Sequence, residues 1–300
     1  MLTNPLMTIL ELYHDICRRL KNAGIPDCDS EAIILIGHFL RLNRGEIFLN
    51  GKRLVQPRYA ALIEEALLTR LNLRTPLAYI IAEQDFWSYN FKVTPDVLIP
   101  RPETEILIEK VLGTLRHDTP CAELKFMDLG TGSGIIAVTL ALEIPGSIGL
   151  AVDRSMAALQ VARYNAVRHD VAERLFFLNA DWQSAVKPGE KFDLIVSNPP
   201  YVARDVLKTL QPELDHEPVL ALDGGQSGTV EIERIARTLH EVLRPGGWFF
   251  MEIGFDQEQY ALELFNTLAG DHGRTARLYE QVMVHKDYAG LPRILQARLT

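Results

Sequence analysis

Two short segments of the chain have residue types and spacings suited to chemistry. The first is Asp128-Leu129-Gly130-Thr131-Gly132-Ser133-Gly134. It lies between the apolar runs Lys125–Leu129 and Gly134–Leu142, so it reads as a strand, a glycine turn and a helix. Glycines accept unusual backbone angles, and the missing Cβ lets a ligand lie against the chain. The second is Ser197-Asn198-Pro199-Pro200-Tyr201, delivered by the strand-like run Asp193 to Val196. Two successive prolines lack the N–H that a strand ladder needs, so they end the strand, stiffen the backbone and leave carbonyls available.

The chemistry narrows from there. A dinucleotide fingerprint wants a glycine at position 135, where this chain has Ile135. No Walker lysine follows the turn, so phosphate gripping is poorly supported. An acidic residue beside the turn, Asp128, suits the ammonium group of S-adenosylmethionine, which carries no phosphate. A tight turn without a ligand is the competing reading. Asp153 lies 23 positions after Gly130 at the end of the next strand-like run. An acid there can accept hydrogen bonds from both ribose hydroxyls; a cap on the following helix is the alternative. Asp181 and Trp182 follow the third run, where adenine lies in this topology, with Asp181 near the exocyclic amine and Trp182 as an apolar wall. A core position competes for Trp182.

Asn198 to Tyr201 suit transfer to a planar nitrogen. Such a nitrogen is a weak nucleophile because its lone pair is delocalised. The Asn198 side-chain oxygen and a proline carbonyl can hold its two N–H groups while charge builds, and Tyr201 can pack on the planar group. Positioning of this kind supplies up to roughly 7–11 kcal/mol. The competing reading is a rigid turn with a capping Asn.

These residues need elements to position them. From Leu124 onward strands (Lys125–Leu129, Ile148–Asp153, Leu175–Asn179, Leu194–Ser197, Trp248–Ile253) alternate with helices such as Gly134–Leu142 and Ser155–His169, which predicts an α/β fold with a parallel, doubly wound, Rossmann-like sheet. Residues 1–78 read as a small helical domain that grips a macromolecular substrate: Leu10, Tyr13, Ile16, Cys17 and Leu20 recur at helical spacing, Gly24 and Pro26 end that helix, and Asp29-Ser30 cap the next, Glu31 to Leu40. Residues 79–100 read as a β-hairpin linker, with Phe86, Trp87, Tyr89, Phe91 and Val93 around a polar break. Residues 101–300 form the catalytic domain, opened by a helix from Pro100–Pro102 to about Leu115 with Glu103 and Glu105 in its first turn. Arg204 to Leu214 reads as a flap over the substrate.

Composition sets the outer limits. The chain has 300 residues, 47% hydrophobic and 23% charged, with a net charge of −8. That leans away from bulk nucleic acid, which is held by Lys and Arg. Cys17, Cys28 and Cys121 form no metal or redox spacing, and neither do the histidines, His216 included, so a reducing cytoplasm and no metal are expected. No secretory signal is apparent, and the longest apolar stretch, Ile135 to Leu142, is too short for a bilayer.

Taken together, these motifs resemble the class I methyltransferases that act on planar nitrogens. The resemblance sharpens to the bacterial protein-(glutamine-N5) methyltransferases that modify peptide chain release factors, and it covers nearly the whole chain. It rests on Ile99-Pro100-Arg101-Pro102-Glu103-Thr104-Glu105, the glycine turn, Asn198-Pro199-Pro200-Tyr201, Glu217-Pro218 with Ala221-Leu222 and Gly224-Gly225, and the tail Asp287 to Gly290 with Arg293. It implies S-adenosyl-L-methionine held by Gly130, Thr131, Gly132, Ser133, Gly134, Asp153, Trp182 and Asn198, to which the chemistry of the residues themselves adds Asp128 and Asp181. It also implies a substrate glutamine, in a Gly-Gly-Gln tripeptide, held by Asn198, Pro199, Pro200 and Tyr201; a cytoplasmic monomer is the expectation for the protein. Rival readings are methylation of a glutamine on a large-subunit ribosomal protein and, further off, of adenine N6 in DNA, which needs a basic groove and a DNA-reading domain. The chain's own Gly224-Gly225-Gln226 reads as a turn, with self-methylation at Gln226 as the alternative.

Overall fold

The computed structural model describes residues 7–118, 124–187, 189–268 and 277–300. Cys121 lies outside them. The chain divides into two compact units, 1–83 and 84–300; the division falls inside the segment read as a linker.

Among the described residues the first unit holds five helices: α1 (Ile9–Asn22), α2 (Cys28–Leu40), α3 (Arg44–Leu49), α4 (Pro57–Leu73) and α5 (Leu77–Ile81). Thr8 and Glu11 close a capping box on α1, satisfying backbone donors that the helix start leaves open. Ile9, Leu12, Ile16 and Leu20 are its buried stripe. The start of α2 differs from expectation. The helix begins at Cys28, with Asp27 before it at φ 56° and no side-chain cap. Asp29 therefore sits inside the first turn and accepts the Tyr13 hydroxyl at 2.9 Å instead of capping. Arg70 on α4, 5% exposed, makes a two-pronged pair with Glu31 on α2 at 2.9 and 2.8 Å, a geometry that fixes orientation as well as charge.

The second unit opens with a two-stranded sheet, β1 (Glu83–Phe86) and β2 (Tyr89–Lys92), and α6 (Pro102–Asp118). There follow β3 (Lys125–Leu129), α7 (Ile135–Glu143), β4 (Ile148–Asp153), α8 (Met156–Arg168), β5 (Leu175–Asn179), β6 (Phe192–Ser197), α9 (Arg204–Leu207), α10 (Val230–Thr238), β7 (Leu243–Glu252), α11 (Glu258–Thr267), β8 (Tyr279–Lys286) and β9 (Pro292–Leu299). Seven strands form one sheet in the order β5-β4-β3-β6-β7-β9-β8. Side chains alternate across it. Phe126, Leu194, Val196, Trp248 and Phe250 face α6 and α7; Met127, Ile195, Phe249 and Met251 face α10 and α11. This period of two is what a sheet covered on both faces requires.

The strand order reverses between β3 and β6, where the register sets Leu129 beside Ser197. Their carboxyl ends flank the crevice where ligands bind in open α/β sheets, and the glycine turn and the Asn-Pro-Pro-Tyr segment start there. The sheet is not wholly parallel: β9 runs antiparallel to both β7 and β8. The connection from β8 to β9 is a tight turn in which Asp287 N–H donates to Leu291 O at 2.8 Å and Gly290 N–H to Asp287 O at 2.9 Å. So short a link permits only antiparallel neighbours. Among the described residues no helix is long and apolar enough to cross a membrane.

Candidate active site

The glycine turn is built from backbone outward. The N–H groups of Gly130 and Thr131 both donate to Val152 O on β4, each at 2.9 Å, so the turn is pinned to the neighbouring strand. Gly130 has φ +74°, and a Cβ there would meet the Trp182 ring at 3.2 Å. Gly134 has φ +81°, and a Cβ there would lie 2.9 Å from the Ala162 Cβ on α8. These glycines let the turn close under Trp182 and let α7 seat against α8. Asn165, fully buried on α8, holds the same turn from behind. Its amide donates to Ser133 O at 2.8 Å and Lys92 O at 2.9 Å and accepts from Lys92 N–H at 2.8 Å.

Above the turn lies a cavity whose wall includes Gly130, Thr131, Gly132, Ser133, Asp153, Asp181, Trp182 and Asn198. Asp153 spreads its carboxylate over two backbone donors, Gly132 N–H at 2.9 Å and Ser155 N–H at 2.8 Å. Burial pushes its carboxyl up against the pull of those donors. The cap of α8 itself is Ser155, whose hydroxyl accepts Ala158 N–H at 3.2 Å. Trp182 adopts φ 53° and donates its ring N–H to Glu231 on α10 at 2.7 Å. Arg234, one turn along α10, holds Glu231 at 2.8 Å and pairs with Asp181. The cavity's far wall is thus propped by α10.

Two sequence-derived site residues, Gly134 and Asp128, line neither this cavity nor the smaller one beside Pro199 and Tyr201; Gly134 serves the packing of α7 on α8, and Asp128 lies below the turn. Its side chain lies fully buried beneath the turn, outside the cavity wall. One oxygen accepts the Thr131 hydroxyl at 2.6 Å and the other, Oδ1, has no hydrogen-bond partner. Burial lifts its carboxyl to about 7, despite the Thr131 hydroxyl. It acts on the cavity through Thr131.

The Asn-Pro-Pro-Tyr segment is anchored from below. Ser197 donates to Leu129 O at 2.8 Å, tying β6 to the start of the glycine turn. The Asn198 side-chain nitrogen donates to the Thr104 hydroxyl at 3.2 Å, Thr104 donates to Glu252 at 2.7 Å, and the Tyr201 hydroxyl donates to the other Glu252 oxygen at 3.0 Å. Glu252 is fully buried at the end of β7. Burial pushes its carboxyl up, while the two hydroxyls and the charge of Arg293 pull it down. The Tyr201 phenol is raised as well, by burial and then by the Glu252 charge. Gln257 adds a backbone clamp, donating to Tyr201 O and Gly228 O at 3.0 Å each.

Asn198 belongs to two cavities. The second and smaller one is lined by Pro199, Tyr201, Leu98, Arg101, Val202 and Leu222. Arg101 is held by Glu217, which accepts from its guanidinium at 2.6 Å and from Ile99 N–H at 3.1 Å with a side chain only 2% exposed. The stretch 204–216 consists of α9 and a short 3-10 turn ending at the partly buried His216, and Arg204 pairs with Asp223 at 2.9 Å. Val202 bridges to Asp223 in the turn that carries Gly224 and Gly225, and Gln226 beyond it is exposed. Among the described residues no group of His, Cys, Asp or Glu could hold a metal ion.

Comparison with known proteins covers most of the chain. The PrmC N-terminal domain model matches residues 11–81, and the methyltransferase small domain model matches residues 104–215. A release factor glutamine methyltransferase of Nitratidesulfovibrio vulgaris is 39% identical over 97% of this chain and 95% of its own. The Cereibacter sphaeroides enzyme of the same designation is 41% identical over 94% of this chain and 95% of its own. The chain belongs to the release factor glutamine methyltransferase family. Among solved structures, the catalytic domain of hMettl16 in complex with a MAT2A 3′UTR hairpin superposes with a TM-score of 0.54, covering 83% of this chain and 85% of that one at 14% identity. That likeness is one of fold.

Against this family background, several residues of the site carry weight that sequence reasoning did not assign. Thr104 was visible within the Ile99–Glu105 motif, but without a role. Glu252 had a signal, a lone acid closing the apolar run Trp248–Met251. Asn165 had a fainter one, a polar residue among the buried positions of α8. Glu231 and Arg234 had none, because their partners lie about 50 residues upstream.

Proposed function

We propose that this chain transfers a methyl group from S-adenosyl-L-methionine to the side-chain amide nitrogen of the glutamine in the Gly-Gly-Gln motif of peptide chain release factors, leaving S-adenosyl-L-homocysteine. The observation that carries this reading is Asn198 in the wall, with Leu98, Arg101 and Ala221, that two cavities share, one over the glycine turn and one lined by Pro199 and Tyr201. The designations of the relatives point to the same substrate.

The first cavity fits the cofactor's chemistry. Asp153 offers a partly buried carboxylate for a ribose diol, Trp182 a flat apolar wall and Asp181 an acceptor. The glycines leave the floor free of side chains, and Asp128 supports that floor through Thr131. When bound, the cofactor supplies an electrophilic methyl on a sulfonium, a good leaving group. The chain's own part is placement. The Asn198 oxygen and the Pro199 carbonyl accept the two amide N–H groups and hold the nitrogen toward the first cavity. Those acceptors also stabilise the positive charge that builds on the amide as its new C–N bond forms, before one N–H proton departs. Preorganised contacts at such a centre are worth about 3–4 kcal/mol each. We further propose that the enzyme works in the cytoplasm as a monomer and does not bind DNA, in keeping with the net charge of −8.

The test is transfer of labelled methyl to a purified release factor. The same factor with its Gly-Gly-Gln glutamine changed to alanine, ribosomal proteins and duplex DNA serve as controls. Label on the intact factor alone supports the reading; label on ribosomal protein or DNA replaces the substrate.

A further inference from the structure

We infer that Glu252 is a positioning residue that makes the small pocket read an amide: through Thr104 and Tyr201 it turns the Asn198 oxygen toward the substrate, so that the pocket accepts N–H groups and rejects a carboxylate. The inference rests on the proposed reaction and names what selects its substrate side chain.

The argument is a count of hydrogens. Both Glu252 oxygens accept, one from the Thr104 hydroxyl and one from the Tyr201 hydroxyl, as a carboxylate's do. Thr104 has a single hydroxyl hydrogen, which it commits to Glu252 at 2.7 Å. Toward Asn198 it therefore offers only a lone pair. The Asn198 group facing it must be the nitrogen, as the 3.2 Å contact has it. An Asn amide has two ends, and a network that fixes one fixes the other. The oxygen is left pointing away from Thr104 with no protein donor among the described residues. Tyr201 is governed by the same carboxylate. Its only hydroxyl hydrogen goes to Glu252 at 3.0 Å, so the phenol cannot donate to a substrate. The Asn198 oxygen, the Tyr201 oxygen and the proline carbonyls thus present acceptors at the junction, while the Arg101 guanidinium in the same wall is paired with Glu217. A glutamine amide supplies two donors to such a site. A glutamate carboxylate supplies none to these acceptors, the kind of mismatch that gives discrimination, and the one cation in the wall among the described residues, Arg101, already has the Glu217 carboxylate as its partner. Thr104 and Glu252 are 0% exposed, so water does not relax the arrangement.

The experiment compares the wild type with Thr104→Val, Thr104→Ser and Glu252→Gln. It measures turnover and KM on a release factor, S-adenosyl-L-homocysteine affinity by calorimetry, and inhibition by peptides carrying Gly-Gly-Gln or Gly-Gly-Glu. Thr104→Val keeps the shape but frees the Asn198 amide to turn. We expect turnover to fall about tenfold or more, as for one lost hydrogen bond at the reacting centre, with cofactor affinity unchanged. The preference for the Gln peptide over the Glu peptide should collapse. Thr104→Ser should recover most of both losses. Glu252→Gln can donate as well as accept, so it should blunt the preference too, and it carries the comparison if Thr104→Val does not fold. Retained turnover and retained peptide preference in Thr104→Val and Glu252→Gln would overturn the inference while leaving the proposed reaction standing. So would a loss of turnover that tracks a loss of cofactor affinity with the preference intact, since that is a packing defect. A wild type that places no label on the release factor overturns both.

Discussion

At Asn198 the side-chain nitrogen is occupied by Thr104 and the oxygen is left for a ligand, at the point where two cavities meet. Replacing Asn198 by Ala should lower turnover by a factor of about 10²–10³, the range for one preorganised contact at a reacting centre. Cofactor affinity should change far less. Turnover near the wild-type value, measured by methyl transfer to a release factor, would mean that the segment does something else. Asp128 makes a separate prediction. Burial lifts its carboxyl from 3.8 to about 7. Between those values the folded chain holds a proton that the unfolded chain has released, so this group's contribution to stability falls as pH rises from about 4 and is fully lost above about 7. Asp128→Asn removes that dependence. Thermal unfolding should therefore show the variant gaining on the wild type between about pH 4 and pH 7 and no further above it; a constant difference would show that Asp128 does not titrate there. These residues were legible to different degrees. The Asn-Pro-Pro-Tyr run and the glycine turn announce themselves because consecutive residues do the work. Glu252, Thr104 and Asn198 are scattered over 148 positions, and their chain of hydrogen bonds exists only once β6, β7 and α6 are packed.

The elements that place these groups depend on a few close approaches. Gly134 is the clearest, since an added Cβ would sit 2.9 Å from the Ala162 Cβ and 3.0 Å from its Cα, at φ +81°. Gly134→Ala should cost about 1–3 kcal/mol through strain and overpacking, read as a lower melting temperature, and should weaken cofactor binding because α7 carries the turn. A variant as stable as the wild type would show that α7 and α8 have room to part. The alternation of apolar runs makes the five parallel strands readable, since buried strands are continuous and apolar. The last two strands are not. β8 reads Tyr-Glu-Gln-Val-Met-Val-His-Lys with four of its eight residues exposed, as an edge strand is. β9 begins with a proline. Their antiparallel pairing is set by the Asp287 turn and by register against β7, which no local pattern encodes. The start of α2 is similar: Asp29 looks like a cap in sequence, but the Tyr13 hydroxyl on α1 claims its carboxylate.

For the whole molecule, the sheet's point of reversal sets the glycine turn and the Asn-Pro-Pro-Tyr segment side by side, and α10 and α6 supply the props that hold them. Membership of the release factor glutamine methyltransferase family over nearly the full chain agrees with a site that leaves the Asn198 oxygen open to N–H donors. The central claim is that this site modifies one glutamine amide. Its most direct test is site-resolved mass spectrometry of a release factor after incubation with the enzyme and S-adenosyl-L-methionine. The account predicts a single added methyl on the glutamine of Gly-Gly-Gln, absent with Asn198→Ala and absent from Gln226 of the enzyme itself. A methyl on any other residue, or an unmodified factor beside an enzyme that binds the cofactor, would contradict it.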